Sequence, residues 1–263
     1  MFTALITGAS GGLGEAFVRI LSDYPSCLII TGRNRKKLLE LQKKYARSGS
    51  VQIIPVVCDL SKPEGVFELI EFIKKKDFVV DFLINNAGFG LSGEFGSQSC
   101  TEITDLLEVD IQSVVLLCRL LLPGMLERRR GGILNVSSIA SCLPGPGMNL
   151  YYASKAFVTS FSRALHQELK NSRIHVCALC PGPISTGFEK AAGLNGAVMF
   201  SILPVSRPET IARAGLTALA RNRTVCYPDI GAKFVYAASR FLPVCTLEKA
   251  ASWINEPGLI KKR

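Results

Sequence analysis

Short apolar runs alternate with helix-like segments along most of the sequence, and this alternation limits the fold more than any other feature. The runs are rich in β-branched residues, and the segments between them repeat apolar residues at helical spacing. Strands separated by helices indicate βαβ units and hence a parallel sheet. We expect one α/β domain over residues 1–263, a doubly wound parallel sheet with helices on both faces. The predicted strands are 2–6, 27–31, 51–58, 79–84, 132–137, 174–179 and 224–227.

Two segments depart from the alternation. Residues 184–206 lose the pattern, and we expect a loop that covers the substrate. Residues 230–263 form a basic, amphipathic C-terminal extension in which Phe234, Phe241 and Leu242 share one side. We expect that side to pack on this subunit or a partner subunit in preference to a membrane surface. The predicted helices before this extension are 15–22, 35–47, 63–76, 101–129, 151–170 and 208–220.

The first predicted strand runs into a glycine-rich turn that opens a helix. Glycines at positions 8, 12 and 14 permit a tight turn and bring backbone N–H groups close to a ligand. A helix N-terminus that approaches in this way binds phosphate groups. The order strand, turn and helix therefore predicts a dinucleotide site. The expected contacts from this turn are Gly8, Ser10, Gly11, Gly12, Leu13 and Gly14.

The residues after the next strands indicate which dinucleotide binds. An acidic residue after the second strand is typical of NAD sites, but this sequence has Arg33 and no acid there. A guanidinium suits a 2′-phosphate, so we expect NADP(H). Asp59 follows the third strand, where it either accepts a hydrogen bond from the adenine amino group or caps the next helix. Small residues after the fourth strand, in Asn86-Ala87-Gly88, would let the cofactor lie against the backbone.

A serine, a tyrosine and a lysine are placed to handle a proton. Tyr151 and Lys155 are four residues apart and share one helix face, and Ser138 follows the fifth strand. A free phenol has a pKa of about 10, and a nearby ammonium lowers it. The Ser138 hydroxyl would hold a substrate oxygen and help to carry its developing charge.

Taken together, these motifs resemble a classical short-chain dehydrogenase/reductase. They follow the order and spacing of that family over about the first 190 residues. The matching residues are Thr7-Gly8-x-x-x-Gly12-x-Gly14, Asp59-Leu60, Asn85-Asn86-Ala87-Gly88, Ser138, Tyr151-x-x-x-Lys155 and Pro181-Gly182-x-x-x-Thr186.

The resemblance implies a Rossmann-type fold and a role for each matching residue. Tyr151 would be the acid in carbonyl reduction and the base in alcohol oxidation, while Ser138 orients the substrate oxygen. Lys155 would bind the nicotinamide ribose and lower the Tyr151 pKa. The loop Pro181-Gly182 to Thr186, with Ile184, would contact the nicotinamide. Family members usually pair through the long helix and the Tyr151 helix, so the resemblance also implies a homodimer or homotetramer.

One position departs from the family pattern. The long helix carries Val109-Asp110 where the family usually has Val-Asn, whose backbone carbonyl holds a water in a proton relay. Aspartate still supplies that carbonyl. Its carboxylate, however, could pair with Lys155 and weaken the effect of Lys155 on Tyr151. Asp110 is therefore the fourth candidate catalytic residue, with its part in the relay left open.

The expected substrate is an apolar carbonyl compound or the corresponding secondary alcohol. Apolar residues crowd the three segments predicted to wall the pocket, 89–95, 143–150 and 184–203. They are Phe89, Leu91, Phe95, Leu143, Met148, Leu150, Phe188, Met199, Phe200 and Leu203.

Composition bears on the other classes of function. The net charge of +10 favours anionic ligands, but the basic clusters are scattered and lack interleaved aromatic residues, so we do not expect nucleic-acid binding. The nine cysteines show no disulfide framework, and Cys177-x-x-Cys180 lacks a second pair at metal spacing. The longest apolar region, 113–126, is too short to span a bilayer. With no signal-peptide pattern, these features predict a cytoplasmic protein without a metal site.

Two alternatives stay open beside the reductase hypothesis. A non-catalytic NADP(H) sensor or scaffold of the same fold is suggested by Asp110. An epimerase or dehydratase of the extended branch is a chemical alternative, although the chain is short for that branch and its glycine spacing fits the classical one.

Overall fold

The described part of the protein forms one sheet of seven strands flanked by helices. The computed structural model describes residues 1–46, 50–187, 192–193 and 204–255. The strands are β1 Phe2–Ile6, β2 Ser26–Gly32, β3 Val51–Val57, β4 Phe82–Asn85, β5 Gly131–Val136, β6 Ile174–Leu179 and β7 Val225–Cys226. The helices are α1 Gly12–Leu21, α2 Arg35–Tyr45, α3 Pro63–Lys75, α4 Cys100–Leu107, α5 Ser113–Arg128, α6 Asn149–Glu168, α7 Pro208–Ala220, α8 Ile230–Phe241 and α9 Val244–Asn255.

The strand order is β3-β2-β1-β4-β5-β6-β7, and every neighbouring pair is parallel. From β1 the chain adds β2 and β3 toward one edge of the sheet. It then places β4 on the other side of β1 and adds β5, β6 and β7 toward the opposite edge. This reversal opens a crevice at the carboxyl ends of β1 and β4, where doubly wound sheets bind ligands. The predicted doubly wound parallel sheet is confirmed.

Successive side chains along each strand point to opposite faces of the sheet, and a hydrophobic core lies on each face. Ile6 packs with Phe17 of α1 and Ile211 of α7 in the first core. Its neighbour Leu5 points the other way and packs with Leu69 of α3 in the second. All five side chains are fully buried or nearly so. Burial on both faces accounts for the continuous apolar runs of the strands.

The long helix before β5 contains a π-helical turn. We predicted one helix over 101–129, whereas the structure has α4, a π turn over Glu108–Gln112, and α5. A π turn inserts one residue into the helical repeat and often marks a functional position. Here it contains Asp110, whose side chain is completely buried.

By length and composition, Cys100–Arg128 is the one described helical stretch that is apolar enough to cross a membrane. We expected the longest apolar region to be too short to span a bilayer, but that expectation considered only residues 113–126 of this stretch. Its inner side joins the second core through Val114, Leu117 and Met125, and core helices pass the same test.

The fourth strand starts later than predicted. We expected strand from residue 79, but β4 begins at Phe82. The preceding Asp81 is buried, where its carboxylate accepts a hydrogen bond from the Thr3 backbone N–H at 2.9 Å and pairs with Arg130 at 3.4 Å. The Asp81 backbone nevertheless bonds to both neighbouring strands: its N–H donates to the Thr3 carbonyl at 2.9 Å, and its carbonyl accepts from the Gly132 N–H at 2.9 Å.

The C-terminal extension does not use its predicted apolar side to pack on its own subunit, and packing of that side on a partner subunit stays a prediction. Phe234 and Phe241 are 71% and 87% exposed, and Leu242 is also exposed, so this side does not pack on its own subunit. The buried positions of α8 are Gly231 and Ala232, whose small side chains permit close packing. Residues 256–263 of the extension lie outside the described residues, as do 188–191 and 194–203 of the predicted substrate loop.

Candidate active site

A cavity of about 540 Å³ opens at the carboxyl ends of the strands. It extends from the glycine turn after β1 to the Tyr151 helix and on to the two C-terminal helices. All predicted site residues except Asp110 line it, and Asp110 lies behind its wall. They are Gly8, Ser10, Gly11, Gly12, Leu13, Gly14, Arg33, Asp59, Leu60, Asn86, Ala87, Gly88, Ser138, Tyr151, Lys155, Pro181, Gly182, Ile184 and Thr186.

The glycine turn presents an uncapped helix N-terminus to this cavity. Gly8 has a φ of 61°, which favours glycine, and α1 begins at Gly12 rather than at residue 15 as predicted. The residue before it, Gly11, makes no side-chain cap, and Gly11 to Gly14 line the cavity. A helix N-terminus carries partial positive charge and unpaired N–H groups. The pyrophosphate of a dinucleotide fits this end of the cavity.

Substituting Gly14 by Ala is expected to break this turn. An added Cβ would collide with the Gly8 carbonyl oxygen and the Ala9 Cα. We expect the free energy of unfolding to fall by about 1–3 kcal/mol, as for other overpacked sites. NADPH affinity should fall at least about tenfold, because the turn can no longer approach a phosphate. Gly96 is the matched control, since its added Cβ meets nothing within 4 Å. Wild-type NADPH binding by Gly14→Ala would contradict the role of this turn.

Two cations, not one, stand at the end of β2. Arg33 lines the cavity as predicted, and Lys37 of α2 lines it as well. Sequence analysis did not single out Lys37; its position four residues after Arg33 in a basic stretch was the available signal. The two cations form the positive end of the cavity.

Asp59 does not cap the helix that follows it. The cap of α3 is Lys62, and no side chain bonds to its N-terminus. One Asp59 carboxylate oxygen instead accepts hydrogen bonds from the Ser61 backbone N–H at 3.1 Å and the Ser61 hydroxyl at 2.9 Å. The capping alternative is therefore wrong, and the adenine contact stays a prediction for a carboxylate that lines the cavity.

Asn86 ties the end of β4 to the end of β1. Its side-chain amide donates to the carbonyl oxygens of Thr7 at 2.9 Å and Gly8 at 3.1 Å. The Thr7 hydroxyl oxygen in turn accepts from the backbone N–H groups of Asn86 and Ala87. These bonds fix Ala87 and Gly88 against the cavity.

Ser138 and Tyr151 meet at the centre of the cavity. Ser138 comes two residues after β5, and Tyr151 lies in the first turn of α6. Their side chains are hydrogen-bonded to each other. The Lys155 ammonium lies 5.5 Å from the centre of the Tyr151 ring. The structure thus brings together the three residues that the sequence singled out for proton transfer.

Lys155 is held by a buried ion pair. Its ammonium lies 2.9 Å from a carboxylate oxygen of Asp110, and the two side chains are 7% and 0% exposed. The other carboxylate oxygen of Asp110 accepts a hydrogen bond from the Phe89 backbone N–H at 3.1 Å. The Ser154 hydroxyl donates to the first oxygen at 3.2 Å. The pairing of Asp110 with Lys155 that the sequence left open is therefore present.

This pair changes the electrostatics around the phenol. Burial raises the pKa of Tyr151, and the Asp110 carboxylate adds to that rise, against the opposing effects of Lys155 and the Ser138 hydrogen bond. Burial by itself would lower the pKa of Lys155, but Asp110 and Tyr151 more than offset it and raise that pKa. Lys155 is therefore a charged group whose charge Asp110 largely neutralises.

The far end of the cavity is apolar, and its walls differ from those predicted. Phe89, Leu143 and Met148 line it as expected. Leu91, Phe95 and Leu150 of the predicted wall segments do not line it, and Phe95 is exposed to solvent. Phe188, Met199, Phe200 and Leu203 lie outside the described residues.

The C-terminal helices supply walls that sequence analysis missed. Val235 of α8 and Ala251 and Ile254 of α9 line the cavity. Asn255 fixes α9 in place: its side-chain oxygen accepts from the Tyr152 hydroxyl at 3.0 Å, and its amide donates to the Pro146 carbonyl at 2.9 Å. No sequence motif marked these contacts, because they join segments about a hundred residues apart.

Comparisons with known proteins agree on one family. The family model described as short chain dehydrogenase matches residues 2–195. The very-long-chain 3-oxoacyl-CoA reductase of Anas platyrhynchos is 30% identical over 253 residues, which are 93% of this chain and 77% of that protein. The human inactive hydroxysteroid dehydrogenase-like protein 1 is 32% identical over 238 residues, or 89% of this chain and 71% of that protein.

A solved structure of a family member is also similar to this chain. A short-chain dehydrogenase from Sphingobium yanoikuyae in complex with NADPH superimposes with a TM-score of 0.81 at 27% identity. The match covers 90% of this chain and 92% of that one.

Proposed function

This chain belongs to the short chain dehydrogenase family, and from that premise we propose that it is an NADP(H)-dependent oxidoreductase that interconverts an apolar carbonyl compound and its secondary alcohol. The observation that carries the proposal is the convergence of Ser138, Tyr151 and Lys155 on a cavity that also contains the glycine turn and Arg33. The NADPH complex of the Sphingobium yanoikuyae relative supports the choice of cofactor.

Each residue of the trio has a distinct task in this proposal. When bound, the reduced nicotinamide supplies a hydride to the carbonyl carbon. Tyr151 donates its phenolic proton to the carbonyl oxygen in reduction and takes it back in oxidation. The Ser138 hydroxyl holds that oxygen by a hydrogen bond, and the Lys155 ammonium stabilises the phenolate that remains. The apolar far end, with Phe89, excludes water from the reacting atoms.

Measuring the reduction of ketones by NADPH tests the proposal. Purified protein is mixed with NADPH and a series of ketones of increasing apolar size, and loss of NADPH is compared with formation of the secondary alcohol. We expect equal amounts of both, with kcat/KM rising as the ketone gains apolar surface. NADPH binding without turnover of any ketone would reject the proposal.

The second candidate function is a non-catalytic NADP(H)-binding protein. It is favoured by the Asp110–Lys155 pair, which offsets the charge that should activate Tyr151. One relative carries the word inactive in its name. Against this candidate, Ser138, Tyr151 and Lys155 are all present and gathered at the cavity.

Substituting Asp110 by Asn distinguishes the two candidates. The carboxylate raises the pKa of Tyr151, so its removal lowers that pKa. Alcohol oxidation needs the phenolate and gains rate as pH rises through this pKa. The rate profile of Asp110→Asn should therefore move toward acid pH. The control is Asp105→Asn on α4, which removes a carboxylate without touching Lys155. An unchanged profile in Asp110→Asn would reject this account of the pair, and turnover in the variant alone would favour the non-catalytic candidate for the natural chain.

A further inference from the structure

The outer side of α8 carries a stripe of exposed apolar side chains. Ile230, Phe234 and Phe241 are 82%, 71% and 87% exposed. Their spacing of four and seven residues places them on one side of the helix. Leu242, which follows the helix, and Trp253, on the side of α9 opposite buried Ala251, are also exposed. We call these five residues the outer apolar face.

This face is larger than scattered surface residues account for. A whole aromatic side chain offers about 150–250 Å², so the five residues together expose on the order of several hundred Å². Exposed apolar surface of that extent on a soluble domain marks an interaction site. We therefore expect α8 and α9 to bind something through their outer side, in addition to lining the cavity.

The two helices are firmly held, so the exposure is a property of the fold. The Asp229 carboxylate caps α8 through the Ala232 N–H at 2.7 Å and also accepts from the Gly182 N–H at 3.0 Å. Asn255 links α9 to Tyr152 and to the Pro146 carbonyl. The helices thus bury one side against the domain and present the other outward.

The charges beside the outer apolar face are mainly positive. Lys233 and Arg240 lie on the exposed surface of α8, next to Phe234 and Phe241 in sequence, and α8 contains no acidic residue. On α9, exposed Lys249 stands beside exposed Glu248. An apolar stripe with a basic border is the pattern of a helix that lies in a membrane interface.

We propose that the outer apolar face docks this protein on an anionic lipid surface. Phe234 and Phe241 enter the boundary between headgroups and acyl chains, and Lys233 and Arg240 pair with anionic headgroups. A second copy of the chain is a poorer occupant. A two-fold contact sets the same patch against itself, which would bring the cations of one copy against those of the other.

Docking would also determine where the substrate comes from. This part of the inference rests on the proposed function. The same two helices that carry the outer apolar face line the cavity from inside with Val235, Ala251 and Ile254. Docking therefore holds the apolar end of the cavity beside the lipid. The substrate class is a carbonyl compound or alcohol that partitions into membranes.

The test is flotation of the full chain with vesicles of phosphatidylcholine, with and without phosphatidylserine. We expect binding to the anionic vesicles at least about tenfold above that to neutral ones, falling as salt is raised. The double variant Phe234→Glu with Phe241→Glu should lose at least about tenfold of this binding. The matched control is Phe67→Glu on α3, a phenylalanine that is 53% exposed, which should bind like the natural chain. NADPH titration of each variant checks that it is folded.

Each outcome has a defined meaning. Absence of flotation by the natural chain, or an equal loss in Phe67→Glu, would overturn docking. A dimer in light scattering that the double variant dissociates, without flotation, would assign the face to a second copy and overturn the proposal as well. Failure of the proposed function would appear separately, as no turnover of either a water-soluble ketone or one held in vesicles while flotation persists. If turnover is present, the double variant should lose activity on the vesicle-held ketone alone.

Discussion

Substituting Tyr151 by Phe should lower kcat by about 10³-fold and leave the dissociation constant of NADPH within about twofold. The change removes one oxygen atom, which is the only group on that side chain able to give or take a proton. The ring stays, and with it the packing against Tyr152 at 6.2 Å between ring centres. Turnover is compared at saturating ketone and NADPH, and the cofactor affinity is measured by calorimetry.

Tyr152 provides the matched control for that substitution. It is the next residue in the chain and is buried, but its hydroxyl bonds to Asn255 rather than to Ser138. Tyr152→Phe should therefore cost about 1 kcal/mol of stability through the lost hydrogen bond, with kcat near that of the natural chain. Equal losses of kcat in the two variants, or substantial turnover in Tyr151→Phe, would contradict the assignment of Tyr151.

Substituting Arg33 by Ala should raise the dissociation constant of NADPH about 10- to 100-fold, while that of NADH changes little. Hydrogen bonds to charged groups contribute about 1.5–3 kcal/mol, and NADH lacks the 2′-phosphate that would receive them. The natural chain should accordingly bind NADPH more tightly than NADH. Parallel calorimetric titrations with the two dinucleotides measure both effects.

Two neighbouring cations sharpen this test. Lys37 also lines the cavity, so Lys37→Ala should weaken NADPH binding by a smaller factor than Arg33→Ala. Arg35 is exposed at the start of α2 and does not line the cavity, so Arg35→Ala should have no effect. Equal weakening of NADPH and NADH binding in Arg33→Ala, or a preference of the natural chain for NADH, would contradict the assignment of Arg33 to the 2′-phosphate.

The sheet was predictable because its signals are local. Apolar runs marked every strand within a few residues, most clearly the strands buried on both faces, and the glycine turn marked the start of the crevice. The start of β4 was misplaced, since we expected strand from residue 79 and the structure has it from Phe82, although the Asp81 backbone already bonds to both neighbouring strands. Val79 and Val80 are as apolar as the residues of the strand itself, so the apolar pattern does not mark where pairing begins.

The site was predictable as a set of residues but not as a set of contacts. Ser138, Tyr151 and Lys155 were found because their spacing fixes their geometry on a strand end and a helix. The Asp110–Lys155 pair could be anticipated but not decided, since it depends on how the π turn over Glu108–Gln112 aims the carboxylate. A period of 3.6 residues does not reveal such a turn.

The side of α8 that packs on its own subunit could not be predicted, because an amphipathic pattern alone does not say what each side contacts. We expected the large apolar residues Phe234 and Phe241 to pack on this subunit or a partner, whereas Gly231 and Ala232 are the residues that α8 buries within its own subunit. The walls contributed by Val235 and Ile254 follow from that packing.

The most direct measurement of the central claim is transfer of a deuterium label. NADPH in which both hydrogens at the reactive carbon of the nicotinamide are deuterium is incubated with the protein and an apolar ketone, and the alcohol product is analysed by mass spectrometry. The proposed function predicts one deuterium on the carbinol carbon, formed at similar rates by the natural chain and by Tyr152→Phe and about 10³-fold more slowly by Tyr151→Phe. Tight NADPH binding without labelled alcohol from any ketone would contradict it and leave a protein that binds the dinucleotide without turning it over.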